Sequence, residues 1–427
     1  MNKYETYKDS GVQWLGKIPS HWDCVRLKNL GTCQNGVSKG GDYFGDGFPF
    51  VSYSDAYKNI VLPATVQGLA RSTEDDRIAY SVEKGDVLFT RTSETIDEIG
   101  FASTCLETIK DSVFAGFLIR FRPNTCSIIP EYYKYYFRSM HLRKFFTKEM
   151  NIVTRASLSQ QLLGQLKVLI PSIDEQKSIS SYLDRKCDCL DEWLSKKQKE
   201  VECLQELKQR VIADAVTRGL NSDVKMKATD ITWLPEVPEH WDMSKISSHF
   251  RQRNEKVSDK EYPALSVSKL GVTPQLDNVA LSNAEGASRK LVKVGDYAVN
   301  SRSDRKGSGG VSKYEGSVSL ITIVLEPFDI DGEYVHYLFR SNPWVEEFYR
   351  NGRGIVADLW TTNFQMMKGM YMPVPPLEEQ KQIVAHIADK TSKIDKLIAN
   401  INKEIENIKE YKQRLISDVV TGQIKVC

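Results

Sequence analysis

"IPSIDEQK" at residues 170–177 returns as "VPPLEEQK" at 374–381, and each copy opens a stretch with a heptad pattern. The first stretch carries Leu183, Leu190, Leu204 and Val211 in heptad steps, with Cys187, Leu194, Val201 and Ala215 four residues on from heptad positions. The second carries Ile387, Ile394, Ile401, Ile408 and Leu415, with Ile398, Ile405 and Val419 as the partner seam. Apolar residues at this period keep one stripe of a helix facing a partner. Under an offset of 204 residues Leu183 falls on Ile387 and Leu204 on Ile408, so the two stretches share a register. Two such helices in one chain most simply pair with each other as a coiled coil. Lys197 breaks the first seam where Ile401 is the counterpart, and a polar residue there fixes register at a cost in stability. A run of about 40 helical residues makes a rod of about 60 Å, long enough to hold two domains apart. Pro171 and Pro375 punctuate the chain, Ser172 with Glu175 reads as a capping box, and Gly219 and Gly422 suit the far ends as C-caps. The second copy has Pro376 in place of the capping serine.

Outward from these helices the whole chain repeats. "WLGKIPSHWD" (14–23) returns as "WLPEVPEHWD" (233–242), "EYYKYYFRS" (131–139) as "EYVHYLFRS" (333–341), and "LKQRVIADAVTRG" (207–219) as "YKQRLISDVVTG" (411–422). Each half therefore has one order: tryptophan motif, strand-rich stretch, aromatic helix, long helix. Apolar runs such as "DVLFT" (86–90) and "SLITIVLEP" (319–327) mark the strands. The expectation is an α+β fold: two globular domains at 1–170 and 221–374, separated by long helices at 171–220 and 375–427, with an internal pseudo-twofold repeat. Trp14, Ile18 and Trp22, and likewise Trp233, Val237 and Trp241, sit at spacing four and are expected to pack each motif onto its own domain.

Composition narrows the function classes. With 41% hydrophobic and 27% charged residues, and no apolar run near the roughly 20 residues a bilayer requires, the chain reads as a globular protein without a membrane span. "MNKYETYKDS" has no apolar segment behind its charges, so the expected compartment is the cytoplasm. The eight cysteines form no pair with metal spacing. No Walker A loop, HExxH, GxSxG or strand-borne GxGxxG occurs, so no catalytic residue, metal or cofactor is assigned. Three look-alikes have plainer readings. "SNPW" (341–344) lacks the second proline of an adenine amino-methyltransferase loop and reads as a helix start at Asn342-Pro343. "EQK" (175–177 and 379–381) reads as a helix cap rather than half of a nuclease site, and "CDC" (187–189) points its thiols to different helix faces.

Function then falls to surfaces. The net charge of +2 supplies no bulk attraction for nucleic acid, so any binding rests on local patches. Four loops combine glycines with basic and polar side chains: 34–47, 89–100, 266–274 and 300–313. Glycine lets a backbone approach closely, and Arg and Lys neutralise phosphates or bond guanine edges. These loops put forward Lys39, Tyr43, Arg91 and Thr92 in the first half and Lys269, Asn300, Arg302, Arg305 and Lys306 in the second. "GDVLFTR" (85–91) and "GDYAVNSR" (295–302) align at their glycines, which makes Arg91 and Arg302 the leading base or phosphate contacts. Arg302, Arg305, Lys306 and Lys313 have only Asp304 against them in that stretch. A second basic cluster, Arg138, His141, Arg143, Lys144, Lys148 and Arg155, follows the aromatic helix and reads as a solvated face.

The paired tryptophan motifs, the two Pro-x-x-x-Glu-Gln-Lys helix starts and the "KQRVIADAVTRG" and "KQRLISDVVTG" helix ends together resemble the specificity subunit of a type I restriction-modification system, over the full length. The resemblance implies two target-recognition domains that each read half of a split, asymmetric site in double-stranded DNA, with two antiparallel helices setting the gap. It also implies a non-catalytic chain: methyltransferase (modification) subunits dock on the helices and methylate adenine with S-adenosylmethionine, and motor-nuclease (restriction) subunits cleave unmodified DNA. The alternative from another class is a coiled-coil scaffold whose two domains bind protein partners.

Overall fold

The computed structural model describes residues 3–93, 98–149, 156–275, 289–354 and 360–426. The chain divides into two compact units, Met1–Lys197 with Lys403–Cys427, and Gln198–Asn402.

The first unit is built on four antiparallel strands, β1 (Gly31–Asn35), β2 (Val87–Thr90), β3 (Ala102–Thr104) and β4 (Leu118–Pro123), in the order β1-β4-β2-β3. Helix α1 (Pro130–Tyr136) buries Tyr132, Tyr133, Tyr135 and Tyr136, and Phe137 just past it meets Phe89 and Phe121 of the sheet edge-on. Strand Lys167–Ile170 pairs with Asp23–Arg26, which ties the tryptophan motif to the start of the long helix α2 (Ile173–Arg218).

The second unit uses β5 (Phe250–Gln252), β6 (Tyr297–Asn300), β7 (Gly309–Val311) and β8 (Thr322–Pro327) in the order β5-β8-β6-β7. Counted along the chain, the strand order is the same as in the first unit. Helix α3 (Gly332–Leu338) buries Tyr334, Val335 and Leu338, and strand Tyr371–Val374 pairs with Asp242–Lys245 ahead of helix α4 (Leu377–Val420). The turn before β2 and the turn before β6 each place a glycine at positive φ, Gly85 at +99° and Gly295 at +92°, followed by a buried aspartate. Asp86 is held by Nε and Nη2 of Arg122 from β4, whereas Asp296 is held by the same two atoms of Arg253, just past β5. The buried ion pair is thus kept while its arginine comes from a different strand.

Helices α2 and α4 run 46 and 44 residues, about 65–70 Å at the standard rise. Each enters both units. In the first unit Ile179, Leu183 and Cys187 of α2 share a core with Leu415, Ile416, Val419 and Val420 of α4. In the second, Ile212, Ala215 and Val216 of α2 share a core with Ile383 and Ile387 of α4. Asp191 pairs with Lys412 at 2.5 Å and Lys197 with Glu404 at 3.4 Å, so partner numbers fall on one helix as they rise on the other. Lys208 and Asp395 make the matching pair of the second unit at 2.7 Å. Of the heptad residues, Leu183, Ile387, Ile394, Ile401 and Leu415 are buried, and Leu190, Leu204, Val211 and Ile408 are half-buried.

Three expectations change. The Ser172 hydroxyl does cap the Glu175 N–H at 3.3 Å, but the Glu175 carboxylate accepts the Trp22 indole N–H at 3.2 Å and meets the His21 ring at 3.0 Å. Glu379 does the same with Trp241 at 3.0 Å and His240 at 2.8 Å. Burial alone raises the Glu175 carboxyl, but the bonds from Trp22 and His21 outweigh it and hold its pKa below the ordinary value. The tryptophan motifs therefore grip the helix starts as well as their own domains, where Trp22 and Trp241 are fully buried. The second correction concerns "SNPW": Asn342 and Pro343 do begin a helix, but the N-cap position is Ser341. The third is the basic face after α1. Arg138 is no solvated residue: its guanidinium donates to the carbonyls of Ala56, Ala102 and Tyr57 and lies over the Phe101 ring, and burial lowers its pKa. Arg155 lies outside the described residues.

Candidate nucleic-acid interface

In the first unit Arg91 follows directly on the buried strand β2, which carries the chain out of the core. Its guanidinium donates to the Gly116 carbonyl at 3.3 Å, and its main-chain N–H to the Phe117 carbonyl at 2.9 Å. The loop bearing Lys39 packs on that same turn, through an isolated bridge between Val37 and Ala115. A Cβ on Gly36 would stand 2.3 Å from the Phe114 and Ala115 carbonyls, so this approach requires glycine. Lys39 and Tyr43 converge on Asp76: the Tyr43 hydroxyl donates to its Oδ2 at 3.0 Å and Lys39 Nζ lies 3.9 Å from its Oδ1. Burial, with Asp76 adding, raises the Tyr43 phenol well above its ordinary range, so it stays a donor. Thr92 lies on a short strand paired with Ala156–Ser157. The turn thus brings Lys39, Arg91 and the exposed Phe117 onto one rim.

In the second unit Asn300 ends β6, and its side-chain oxygen accepts the Arg302 main-chain N–H at 3.1 Å. Arg302 donates to Asp304 at 3.0 Å, and Arg305 lies 3.7 Å from the other oxygen of the same carboxylate. Lys306 pairs with Glu346 at 2.8 Å, a counter-charge from the following helix that the local sequence did not reveal. Basic charge on this loop is thus partly matched, by Asp304 for Arg302 and Arg305 and by Glu346 for Lys306. Lys269 approaches from a hairpin: its carbonyl accepts the Arg340 guanidinium, and Lys269 and Lys306 line one cavity of about 690 Å³. Exposed apolar residues sit beside these cations. Leu270 is 85% exposed at the hairpin tip, and Trp360, whose carbonyl accepts the Ser303 N–H, borders a second cavity of about 760 Å³ with Trp233 and Tyr349.

Sequence reasoning missed Phe117, Leu270 and Trp360. Leu270 carried a signal, as a single large apolar residue between Lys269 and Gly271, whereas Phe117 opens the apolar run 117–119 and Trp360 follows Leu359, so neither stood out. Residues 94–97 of the Arg91 loop lie outside the described residues. Chemically, two rims of cations, amides and hydroxyls backed by rigid sheets suit recognition of a polyanion with readable edges.

Comparison with known proteins gives a consistent result. Residues 19–203 match the family model for the type I restriction modification DNA specificity domain. A relative in Methanocaldococcus jannaschii, named for a type I restriction enzyme MjaX specificity subunit, is 26% identical over 99% of this chain and 98% of its own length. The MjaVIII specificity subunit of the same organism is 23% identical over 68% of this chain and 70% of its own. Among solved structures, a chain from a study of complex assembly and conformational transition of the type I R-M system superposes with a TM-score of 0.68 at 15% identity, covering 95% of this chain and 99% of that one. The HsdS subunit from Thermoanaerobacter tengcongensis gives a TM-score of 0.51 at 15% identity, covering 95% and 98%. At that identity the two structures speak to fold.

Proposed function

The chain belongs to the type I restriction-modification specificity-subunit family, and from that premise we propose how its residues divide the work of reading DNA. As a specificity subunit it is non-catalytic and binds double-stranded DNA by sequence. We assign residues 1–170 and 221–374 as the two target-recognition domains, each reading one half of a bipartite, asymmetric site. Helices 171–220 and 375–427 form an antiparallel coiled coil, with the internal repeat as a pseudo-twofold, and set the spacing between half-sites. Modification subunits dock on these helices, and motor-nuclease subunits complete the complex.

The observation that carries this reading is the shared strand order of the two sheets, with the basic turn leaving the corresponding strand in each: Arg91 after β2 and Arg302 two residues after β6. A rigid strand holds its side chains to a narrow set of positions, so little ordering entropy is lost when a groove is met. Lys39, Tyr43, Arg91 and Thr92 serve one half-site, and Lys269, Asn300, Arg302, Arg305 and Lys306 the other. An arginine reads guanine through paired bonds to O6 and N7, and lysines hold the phosphates beside it. Holding two readers at a fixed separation turns two short patterns into one longer site, because the second contact becomes intramolecular.

The test is methylome sequencing of a host that expresses this chain with its modification partner. The expected result is a bipartite adenine-methylated motif of which one half changes when residues 221–374 are exchanged for those of another family member. A motif that stays the same after the exchange overturns the assignment. With a net charge of +2, the chain alone is expected to bind DNA weakly and its complex with modification subunits to bind well, in a gel-shift assay at fixed salt.

A further inference from the structure

The long helices carry a cleft in each unit, built from the same sequence blocks. In the first unit a cavity of about 630 Å³ is lined by Arg138, Met140, Asp191, Lys412, Gln413 and Ile416, among others. In the second unit the 690 Å³ cavity already met at Lys269 and Lys306 is lined by Arg340, Asn342, Asp395, Lys208, Gln209 and Ile212. Taken in order, these are the same positions of the repeat: 202 residues separate the aromatic-helix members and 204 the long-helix members. Each cleft holds one lysine–aspartate pair between α2 and α4, at 2.5 Å for Lys412 and 2.7 Å for Lys208. Further cations line both clefts: Lys58, Arg143 and Lys409 the first, with Lys409 paired to Glu406, and Lys269 and Lys306 the second, where Glu346 also lines the wall and pairs with Lys306.

An ammonium has three donors, and each of these two lysines gives two to its aspartate. The aspartates are more than half exposed while the lysines are largely enclosed by the cleft walls, so the cation is held in place by a carboxylate that solvent also reaches. The pair by itself is close to neutral, so the surplus positive charge of each cleft comes from the other cations of its lining, and the lysine keeps its third N–H for a further acceptor. In the second unit, moreover, the cleft is continuous with the hairpin and the loop proposed to face DNA, because Lys269 of the one and Lys306 of the other line it.

We infer that each cleft is a sequence-independent phosphate site, in which Lys412 in one unit and Lys208 in the other hold the backbone of the duplex next to the half-site. This rests on the DNA-reading role proposed above. It adds to that role a contact from the spacer helices themselves, made where no base is read.

The test uses the full chain in complex with its modification subunits and two duplexes, one carrying the methylated motif and one with both half-sites scrambled. Affinity is measured against salt concentration. Lys412→Gln and Lys208→Gln should each weaken both duplexes by one common factor, roughly 3- to 10-fold, and lower the salt slope by about one, while the methylated motif stays the same. Asp191→Asn and Asp395→Asn, which remove the competing carboxylate, should bind DNA as tightly as the parent or more so. Lysine and aspartate variants that weaken binding alike would show only a strut between helices and overturn the inference. So would unchanged affinity and slope in the lysine variants, or loss of modification subunits from the complex at an unchanged slope, which would mark the clefts as protein-docking sites. Failure of the parent reading is distinct: the parent complex would then not prefer the motif duplex over the scrambled one, whereas the slope change on the scrambled duplex would still report on the clefts.

Discussion

The Trp241 indole N–H donates to the Glu379 carboxylate at 3.0 Å across 138 residues of chain, and the Trp22 and Glu175 pair repeats the bond at 3.2 Å across 153. In each unit this bond, with that of the neighbouring histidine, joins the tryptophan motif to the first turn of a long helix, where a carboxylate also complements the helix dipole. A hydrogen bond to a charged group, half shielded from water, contributes about 1–2 kcal/mol. Glu379→Ala is therefore expected to speed amide hydrogen exchange in the first two turns of α4 by roughly 5- to 30-fold, with α2 unaffected at its own start. Glu175→Ala should act in the mirror sense on the start of α2. A double-mutant cycle of Trp241→Phe with Glu379→Gln should give a coupling of about 1 kcal/mol.

The helix-terminal glycines lead to a graded prediction. Gly219 and Gly422 both hold positive φ, +76° and +72°, so any side chain there pays the left-handed penalty. Their surroundings differ. A Cβ on Gly219 would stand 3.2 Å from both Glu379 Oε1 and the Trp241 ring, whereas one on Gly422 would be 2.4 Å from Pro19. Gly219→Ala should cost about 1–2 kcal/mol from backbone strain, and Gly422→Ala clearly more, because the proline ring cannot yield as a flexible side chain would. Comparative urea melts of the two variants check the order.

The long helices were legible because heptads and glycine caps are local signals, repeated in step at Leu183 and Ile387 or at Gly219 and Gly422. The α+β content was legible from runs such as 86–90 and 319–327. What was not legible lies in pairings between distant segments. Glu175 carries a capping signature, and nothing near it in sequence points to Trp22. Lys306 reads as an unmatched cation until Glu346, 40 residues on, is brought beside it. Arg138 looks like one more surface charge, and only the fold reveals the three carbonyls that enclose it. Even a repeated sequence hides such differences, as Asp86 and Asp296 take their arginines from different strands.

His336 provides a pH-dependent prediction. Burial, with Arg340 and Lys313 adding repulsion, lowers its pKa to about 4 from an ordinary 6.5, and its Nδ1 accepts the Val311 N–H at 3.3 Å. The folded state thus holds the ring neutral while the unfolded chain protonates it near pH 6.5. Between these values the unfolded state binds more protons, so stability conferred by the neutral ring is complete above about 6.5 and is lost as pH falls toward 4. The shift corresponds to at most about 3 kcal/mol. Hydrogen exchange at Val311 should accelerate from pH 7 to pH 5 beyond the intrinsic chemical rate, and His336→Gln should remove that excess.

Arg302 is the sharpest test of the proposed reading. Its main-chain N–H donates to Asn300 and its Nε to Asp304, an exposed ion pair that biases the direction of the guanidinium before any ligand arrives. Arg302→Ala should cost about 1–3 kcal/mol at a single guanine position of one half-site and leave the other half-site untouched. Arg302→Lys keeps the charge and loses the paired bonds, so it should retain non-specific affinity while discriminating less at that position. Asp304→Asn releases both Arg302 and Arg305 from their shared carboxylate. It should strengthen binding to scrambled duplex and weaken preference for the motif, because the cation gains freedom to meet phosphates and loses its aim. Competition binding with a set of single-base variants of the site reads all three, and uniform losses across every position would assign Arg302 to the backbone instead of a base.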